Sequence, residues 1–262
     1  MKSIPIYQVD AFTRGPFTGN PAAVCVLTDP VSEETMQKIA MENNLAETAF
    51  ITRGSDEWLI RWFTPVTEVD LCGHATLASA FVVLTILEPE SSEAVFRSRT
   101  MGTLTVRRKG ELLELDFPTD TLRECAVPDL IRESIGKVPM ESYMGRSDYL
   151  LLFSTETDIL EMNPDFRKLA MADGRGVIVT APGSVVDFVS RFFAPQAGID
   201  EDPVTGSAHT TLTPFWSVRL GKEKMTARQL SPRGGVLECT LGNGRTMIAG
   251  SATLYLKGEI YV

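Results

Sequence analysis

An internal repeat with a period of about half the chain constrains the fold most. Residues 61–77 read RWFTPVTEVDLCGHATL, and residues 191–212 read RFFAPQAGIDEDPVTGSAHTTL. The arginine, phenylalanine, proline and aspartate of the first segment recur in the second, and G-H-A aligns with G-S-A after a short insertion. In both segments a strand pattern passes through an acidic turn into a helical pattern. A repeat of this length predicts two similar domains rather than a solenoid.

Each repeat places a glycine, Gly73 or Gly206, where a helix is predicted to begin. The first N–H groups of a helix are unpaired and partly positive, so they can bind a carboxylate or phosphate. Glycine lets a ligand approach the backbone, and Ser207 is a favoured N-cap residue. The alternative is two ordinary capped helix starts. Both histidines of the chain lie at these turns; His74 is a candidate site residue, whereas a capping or packing role is preferred for His209.

Composition limits the classes of function. The net charge of −9 argues against nucleic-acid binding through a basic face. The apolar run at residues 75–87 is shorter than the ~20 residues of a membrane span, and the first residues alternate like a strand rather than a signal peptide. Four cysteines without C-x-x-C spacing are typical of reduced thiols and indicate no zinc site. We therefore expect a cytoplasmic protein with no membrane span and no metal.

The order of predicted elements indicates an α+β fold of two pseudo-symmetric domains. Strands alternate with few helices, and the helix predicted at residues 74–87 is apolar nearly all round, so it should be buried inside a curved sheet. Residues 118–123 form a polar candidate linker. We expect an N-terminal domain at residues 1–118, which a last strand at 252–262 could complete, and a C-terminal domain at 119–251.

Glu47 is the candidate acid–base residue. It lies between a predicted helix and the strand predicted at residues 48–52, with apolar neighbours on both sides. Desolvation of such a carboxylate would raise its pKa and suit it to proton transfer. The alternative is a solvent-exposed glutamate at an element boundary. Asn20 lies in a G-N-P turn that either directs backbone N–H groups at a ligand or simply connects a hairpin.

Four motifs resemble the PhzF-like family of phenazine biosynthesis. They occur in the family's order across the whole chain: GNPAAV at 19–24, NLAETAF at 44–50, DLCGHATL at 70–77 and DEDPVTGSAH at 200–209. The resemblance implies a fold similar to diaminopimelate epimerase, in which each domain is a curved mixed sheet or barrel around a central helix. It also implies an active site in the cleft between the domains, facing both helix starts, and a homodimer.

The resemblance further implies a function and a set of residues. The best understood member of the family is a cofactor-free isomerase of dihydro-hydroxyanthranilate, in which a glutamate moves a proton between two carbons. The catalytic roles fall on Glu47, His74 and Asp202. A small anionic metabolite bearing a carboxylate would be bound by Asn20, Gly73, His74, Gly206 and Ser207.

Two other functions stay open. Diaminopimelate epimerase uses one cysteine in each half, and here Cys72 occupies the first position whereas Thr205 occupies the second. A hydroxyl is a much weaker acid than a thiol, so two-thiol racemisation is disfavoured, and a Cys72-assisted epimerase or racemase is the alternative. A regulatory protein that binds small anions without turnover is another. The presence of a candidate base favours the isomerase, because a binding protein does not need one.

Overall fold

The computed structural model describes residues 2–262, which divide into two compact units. The first unit runs to Phe117 and also includes Ala249–Val262, and the second is Pro118–Ile248. Among residues 2–262 no helix is both long and apolar enough to cross a membrane.

The first unit contains these elements: β1 (Ser3–Ala11), β2 (Asn20–Leu27), α1 (Glu33–Asn43), β3 (Glu47–Arg53), β4 (Trp58–Phe63), β5 (Glu68–Val69), α2 (Gly73–Val82), β6 (Glu93–Ser98), β7 (Gly102–Lys109), β8 (Leu112–Pro118) and β18 (Ala252–Tyr261). The second contains β9 (Arg123–Glu124), α3 (Asp129–Ile135), β10 (Glu141–Met144), β11 (Asp148–Leu152), α4 (Glu156–Leu160), α5 (Phe166–Leu169), β12 (Gly176–Pro182), β13 (Phe188–Ala194), β14 (Ile199–Glu201), α6 (Gly206–Leu220), β15 (Lys224–Gln229) and β16 (Gly235–Leu241). The strand β17 (Arg245–Gly250) follows β16 in the chain.

Strand order repeats between the units. In the first unit, β1 is antiparallel to β2, β2 parallel to β3, β3 antiparallel to β4, β4 parallel to β6 and β6 antiparallel to β7. In the second unit, β10, β11, β12, β13, β15 and β16 pair with the same alternation of directions. A short strand, β5 or β14, pairs with β4 or β13 and precedes the long helix of its unit. The repeat in the sequence is therefore a repeat of architecture.

The repeated arginine has the same structural role in both units. Arg61 donates two hydrogen bonds of 2.6 Å to the Glu68 carboxylate, and its guanidinium lies 5.1 Å from the ring of the phenylalanine two residues further on. Arg191 donates bonds of 2.7 and 2.8 Å to Glu201 and lies 4.9 Å from the equivalent ring. Each bidentate pair fastens the short strand, β5 or β14, to the longer strand beside it.

The central helix of the first unit is buried as predicted. Every residue of α2 except Phe81 is buried, and the helix contacts β1, β2 and β3. The buried hydroxyls of Thr76 and Ser79 donate to the carbonyl oxygens four residues earlier, so their burial leaves no donor unsatisfied. The helical pattern predicted at 74–87 is α-helical to Val82 and continues as a π-helical segment, Val83–Leu87.

The helix of the second unit begins two residues earlier than an N-cap at Ser207 requires. Helix α6 starts at Gly206, and its N-cap residue is Thr205, so the predicted capping role of Ser207 is wrong. The Thr205 hydroxyl donates instead to Asp202 at 2.6 Å. The helix packs through Trp216, which stacks on Phe188 at 5.7 Å.

The local sequence pattern did not predict the secondary structure in the middle of the second unit. The local sequence pattern predicts neither β10 nor β11, and the helix α5 is only Phe166–Leu169. Strand β10 is half-buried along its length and shows no alternation that would identify it. Strand β11 is fixed by parallel pairing with β12, a contact between segments distant in sequence.

Candidate active site

Glu47 and His74 meet inside the first unit. Glu47 is the first residue of β3, opposite Ala22 of β2, and its side chain is 13% exposed. His74 is the second residue of α2 and is 4% exposed. Glu47 Oε2 lies 3.1 Å from His74 Nε2, within ion-pair distance, although the two atoms are not aligned as a hydrogen bond. A strand start and a helix start thus bring together two of the three residues predicted as catalytic, Glu47 and His74.

Asn20 fixes the orientation of the His74 ring. It is the first residue of β2, it is fully buried, and its Nδ2 atom donates to His74 Nδ1 at 3.0 Å. A ring whose Nδ1 accepts a hydrogen bond carries its proton on Nε2, which is the nitrogen beside Glu47. Rotating the Asn20 amide by 180° would present its carbonyl oxygen instead and suit the doubly protonated ring. The sequence analysis considered the backbone of Asn20, whereas the side chain makes this contact.

Burial and the neighbouring negative charges have opposite effects on the pKa of His74. Burial disfavours the imidazolium, but the negative charges of Cys72 and Glu47 outweigh this effect and raise the pKa of His74 above its usual value. Burial, followed by the Glu47 charge, raises the pKa of the Cys72 thiol to about 11. Near neutral pH that thiol is protonated, so of these two groups only Glu47 favours the imidazolium there.

Cys72 lies beside the same ring. Its Sγ atom is 3.5 Å from His74 Nδ1, and Cys72 precedes α2 as an N-cap residue without a capping side-chain bond. Side-chain atoms of Glu47, Cys72 and His74 lie within 4.8 Å of one another, close enough to share a metal ion. The raised thiol pKa opposes metal binding, because a cysteine ligand must lose its proton.

Asp202 lies in the second unit, in a turn braced by Gln229. The buried Gln229 side chain donates to the Asp202 carbonyl at 2.7 Å and to Thr205 Oγ1 at 3.1 Å, and it accepts from the Thr205 N–H at 2.8 Å. Thr205 in turn donates to Asp202 Oδ2. The side chain of Gln229 therefore fixes the backbone conformation of the turn that precedes α6. The sequence analysis did not identify Gln229, since it lies on β15, distant from the repeat.

Ser207 contacts a guanidinium that the sequence analysis also missed. Arg175 Nη2 lies 3.1 Å from Ser207 Oγ. The guanidinium is paired with the buried Asp148 and lies 5.4 Å from the centre of the Phe192 ring, so its position is fixed. Helix α6 thus begins with a positive group beside Gly206 and Ser207. Arg175 follows a glycine in a polar turn, and nothing in this local sequence indicates a site residue.

His209 has a packing role. It is fully buried, its Nδ1 donates to the Thr205 carbonyl oxygen at 2.8 Å, and its ring is 6.0 Å from that of Phe188. Burial lowers the pKa of His209 to about 4, so the ring is neutral near pH 7. This arrangement agrees with the capping or packing role preferred from the sequence.

Comparisons with known proteins agree with the resemblance. Residues 9–258 match the PhzC-PhzF family, described as phenazine biosynthesis-like protein. An uncharacterized isomerase of Pseudomonas aeruginosa is 47% identical over 259 residues, covering 99% of each chain. The crystal structure of a PhzF family protein of Enterococcus faecalis is 45% identical, covers 100% of each chain and has a TM-score of 0.96. A hydroxyproline epimerase of Agrobacterium vitis, 10% identical and covering 98% of this chain and 92% of its own, shares the fold with a TM-score of 0.63.

These similarities confirm two predictions. The α+β fold of two pseudo-symmetric halves is that of the PhzF and epimerase structures. The chain is an enzyme of the isomerase type, in agreement with its close relatives. The domain boundaries, the roles of individual site residues, the cytoplasmic location and the homodimer stay predictions.

Proposed function

Because the chain belongs to the PhzC-PhzF family of phenazine biosynthesis-like proteins, we propose that it is a cofactor-independent isomerase that moves a proton on a small carboxylate-bearing metabolite. Glu47 is the general acid and base of this proposal. The observation that carries it is the pair of Glu47 and His74, 3.1 Å apart and shielded from solvent, with Asn20 holding the ring.

The proposed reaction balances with Glu47 alone as the proton carrier. Its carboxylate removes a proton from an acidic C–H bond, and the electron pair of that bond delocalises into an adjacent unsaturated system. The protonated Glu47 then returns the same proton to a different carbon, which restores the carboxylate and shifts the double bond. His74, whose Nε2 lies 3.1 Å from Glu47 Oε2, keeps the carboxylate oriented between the two steps.

The start of α2 supplies the stabilisation of negative charge in this proposal. The N–H groups at Gly73 and His74 begin a helix without a capping side chain from Cys72. A helix start adjacent to the base stabilises an enolate-like anion by fixed dipoles that need no reorganisation during the reaction. A base beside such a start is therefore able to generate a delocalised carbanion in a protected site.

The proposal also assigns the second unit a binding role. We propose that Gly206 and Ser207 bind the carboxylate end of the substrate and that Asp202 has a catalytic role, and this part rests on the family resemblance. Arg175 beside Ser207 is consistent with an anionic substrate. Small carboxylates or sulfate should raise the melting temperature by mass action, and Ser207→Pro in a folded variant should reduce that shift.

A Cys72-assisted epimerase is the second candidate, because Cys72 Sγ lies 3.5 Å from a histidine nitrogen that could accept its proton. The thiol pKa of about 11, raised by burial, disfavours it. The two candidates differ in the residue that carries the proton, so they are separable by substitution.

The experiment is a screen of small carboxylic acids for exchange of C–H hydrogen with deuterium in D2O. Glu47→Gln retains the volume and removes the base, so exchange should fall by the ~10²–10⁴-fold of lost general-base catalysis. Glu42→Gln, an exposed glutamate on α1, is the matched control and should exchange like the wild type. Cys72→Ser should have a much smaller effect. Loss of exchange in Cys72→Ser with retention in Glu47→Gln would assign the reaction to the thiol.

A further inference from the structure

The hydrogen bonds of the Gln229 side chain allow only one orientation of its amide. The backbone N–H of Thr205 can only donate, and it lies 2.8 Å from one end of the amide, so that end is the carbonyl oxygen Oε1. The other end is therefore Nε2, which donates to the Asp202 carbonyl oxygen at 2.7 Å and to Thr205 Oγ1 at 3.1 Å. All three residues are buried.

This orientation fixes the direction of the hydrogen bond between Thr205 and Asp202. Thr205 Oγ1 accepts a hydrogen from Gln229, so the hydrogen of the hydroxyl itself is left for Asp202 Oδ2, 2.6 Å away. A hydroxyl has a single hydrogen to donate, and here the Asp202 carboxylate receives it. Gln229 therefore acts on the Asp202 side chain through Thr205, in addition to its direct bond to the Asp202 backbone.

The first unit repeats the architecture with a different residue at the equivalent position. Strand β6 pairs parallel with β4 as β15 pairs parallel with β13, and the repeat places Ser98 where the second unit has Gln229. The Ser98 hydroxyl accepts from the N–H of Met101, in its own turn. The turn before α2 receives an exposed bond from the Thr100 hydroxyl to the Asp70 carbonyl oxygen. A unit of this architecture thus forms without a buried glutamine at this position, so the glutamine is not a requirement of the fold.

We propose that Gln229 is a positioning residue of the active site, which acts through Thr205 to hold the Asp202 side chain in its catalytic orientation. The inference rests on the proposed function, in which Asp202 has a catalytic role. It also gives a role to Thr205, which donates to a neighbouring carboxylate at the position that corresponds to the second thiol of diaminopimelate epimerase. Such control matters because misplacing a reacting group by about 1 Å can lower a rate by about 10²-fold.

Carbon NMR of the Asp202 carboxyl group tests the contact without any substrate. The resonance is assigned by its absence from Asp202→Asn. Gln229→Met keeps the length of the side chain and removes both donors, and Thr205→Val removes the hydroxyl, so each should shift the resonance. Thr205→Ser restores the hydroxyl and should restore the wild-type position. Gln196→Met is the matched control, because Gln196 also donates to two backbone carbonyl oxygens of the second unit, at 3.0 and 3.4 Å, and this change should leave the resonance in place.

Hydrogen–deuterium exchange of a substrate separates positioning from a general loss of stability. With an acid that exchanges in the wild type, Gln229→Met and Thr205→Val should each lower the rate roughly tenfold or more, whereas Thr205→Ser and Gln196→Met should stay within about twofold of the wild type. In Asp202→Asn, adding Gln229→Met should lower the residual rate by less than about twofold, because the group that Gln229 positions is already absent.

Two results would overturn the proposal. One is an Asp202 resonance that neither Gln229→Met nor Thr205→Val shifts, and the other is an equal loss of rate from Gln229→Met with and without the Asp202 carboxylate. Thr205→Val keeps both backbone bonds of the Gln229 side chain, so it provides the test where Gln229→Met does not fold. The resonance needs no turnover, so it decides the positioning role even where the screen finds no exchanging acid, a result that would overturn only the proposed isomerase.

Discussion

Protonation of the buried His209 should make folding stability depend on acid pH. Its pKa lies at about 4 in the folded chain against 6.5 for an ordinary histidine, because burial disfavours the charged ring. Below pH 6.5 His209 binds a proton in the unfolded chain but not in the folded chain. The free energy of unfolding is therefore highest above pH 6.5 and decreases as pH falls. The loss should be about 2 kcal/mol at pH 5 and about 3 kcal/mol at pH 4, with little further change below the folded pKa.

The assay is urea unfolding between pH 7.5 and 4 for the wild type and for His209→Asn. The asparagine amide can still donate toward the Thr205 carbonyl, but it does not titrate, so its offset in stability should be independent of pH. The free-energy difference between the two proteins should therefore shift by about 2 kcal/mol in favour of the variant from pH 7.5 to 5. A difference that stays constant over this range would refute the burial argument.

Three further predictions concern packing and thiol access. Gln229→Leu removes the hydrogen bonds of the Gln229 side chain to Asp202 and Thr205 and should lower the free energy of unfolding by about 2–4 kcal/mol in urea; an unchanged midpoint would contradict the brace. Gly176→Ala places a Cβ 2.4 Å from a phenylalanine ring atom and should lower stability by about 1–3 kcal/mol, whereas Gly15→Ala, with no atom within 4 Å, should have little effect. At mildly alkaline pH, iodoacetamide should modify the half-exposed Cys125 before the buried Cys72, as peptide mass spectrometry would show; the reverse order would identify an activated Cys72 thiol.

Most of the structure that could be predicted from the sequence follows from the internal repeat. The arginine and phenylalanine of each segment, the acidic turn and the glycine helix start all recur because the same strand order is built twice. The position of Glu47 between a helix and a strand was also readable, since Ser32 caps α1 and the apolar pattern of β3 follows soon after it. Caps and strand patterns of this kind can be predicted from the sequence, because they depend only on residues within one short segment.

The two residues that sequence reasoning missed act across long separations. Gln229 reaches Thr205 across 24 positions, and Arg175 reaches Ser207 across 32. Neither is marked by its neighbours. Asn20 was a candidate from its turn, but the contact of its side chain with His74, across 54 positions, was not predicted. The mistaken N-cap at Ser207 has a related cause, because the Asp202 turn engages the Thr205 hydroxyl and Thr205 itself precedes the helix.

The pairing of β1 with β18 affects how the chain folds during synthesis. A ribosome makes β1 before β18, and the whole of Pro118–Ile248 is made between them. An N-terminal domain usually folds first during synthesis. Here the first unit can be completed only after the second unit has been made. Until β18 leaves the ribosome, one edge of β1 is available to any other strand in the cell. A pause in translation near residue 250 would prolong that exposure, so codon choice in this short region should affect the yield of folded protein.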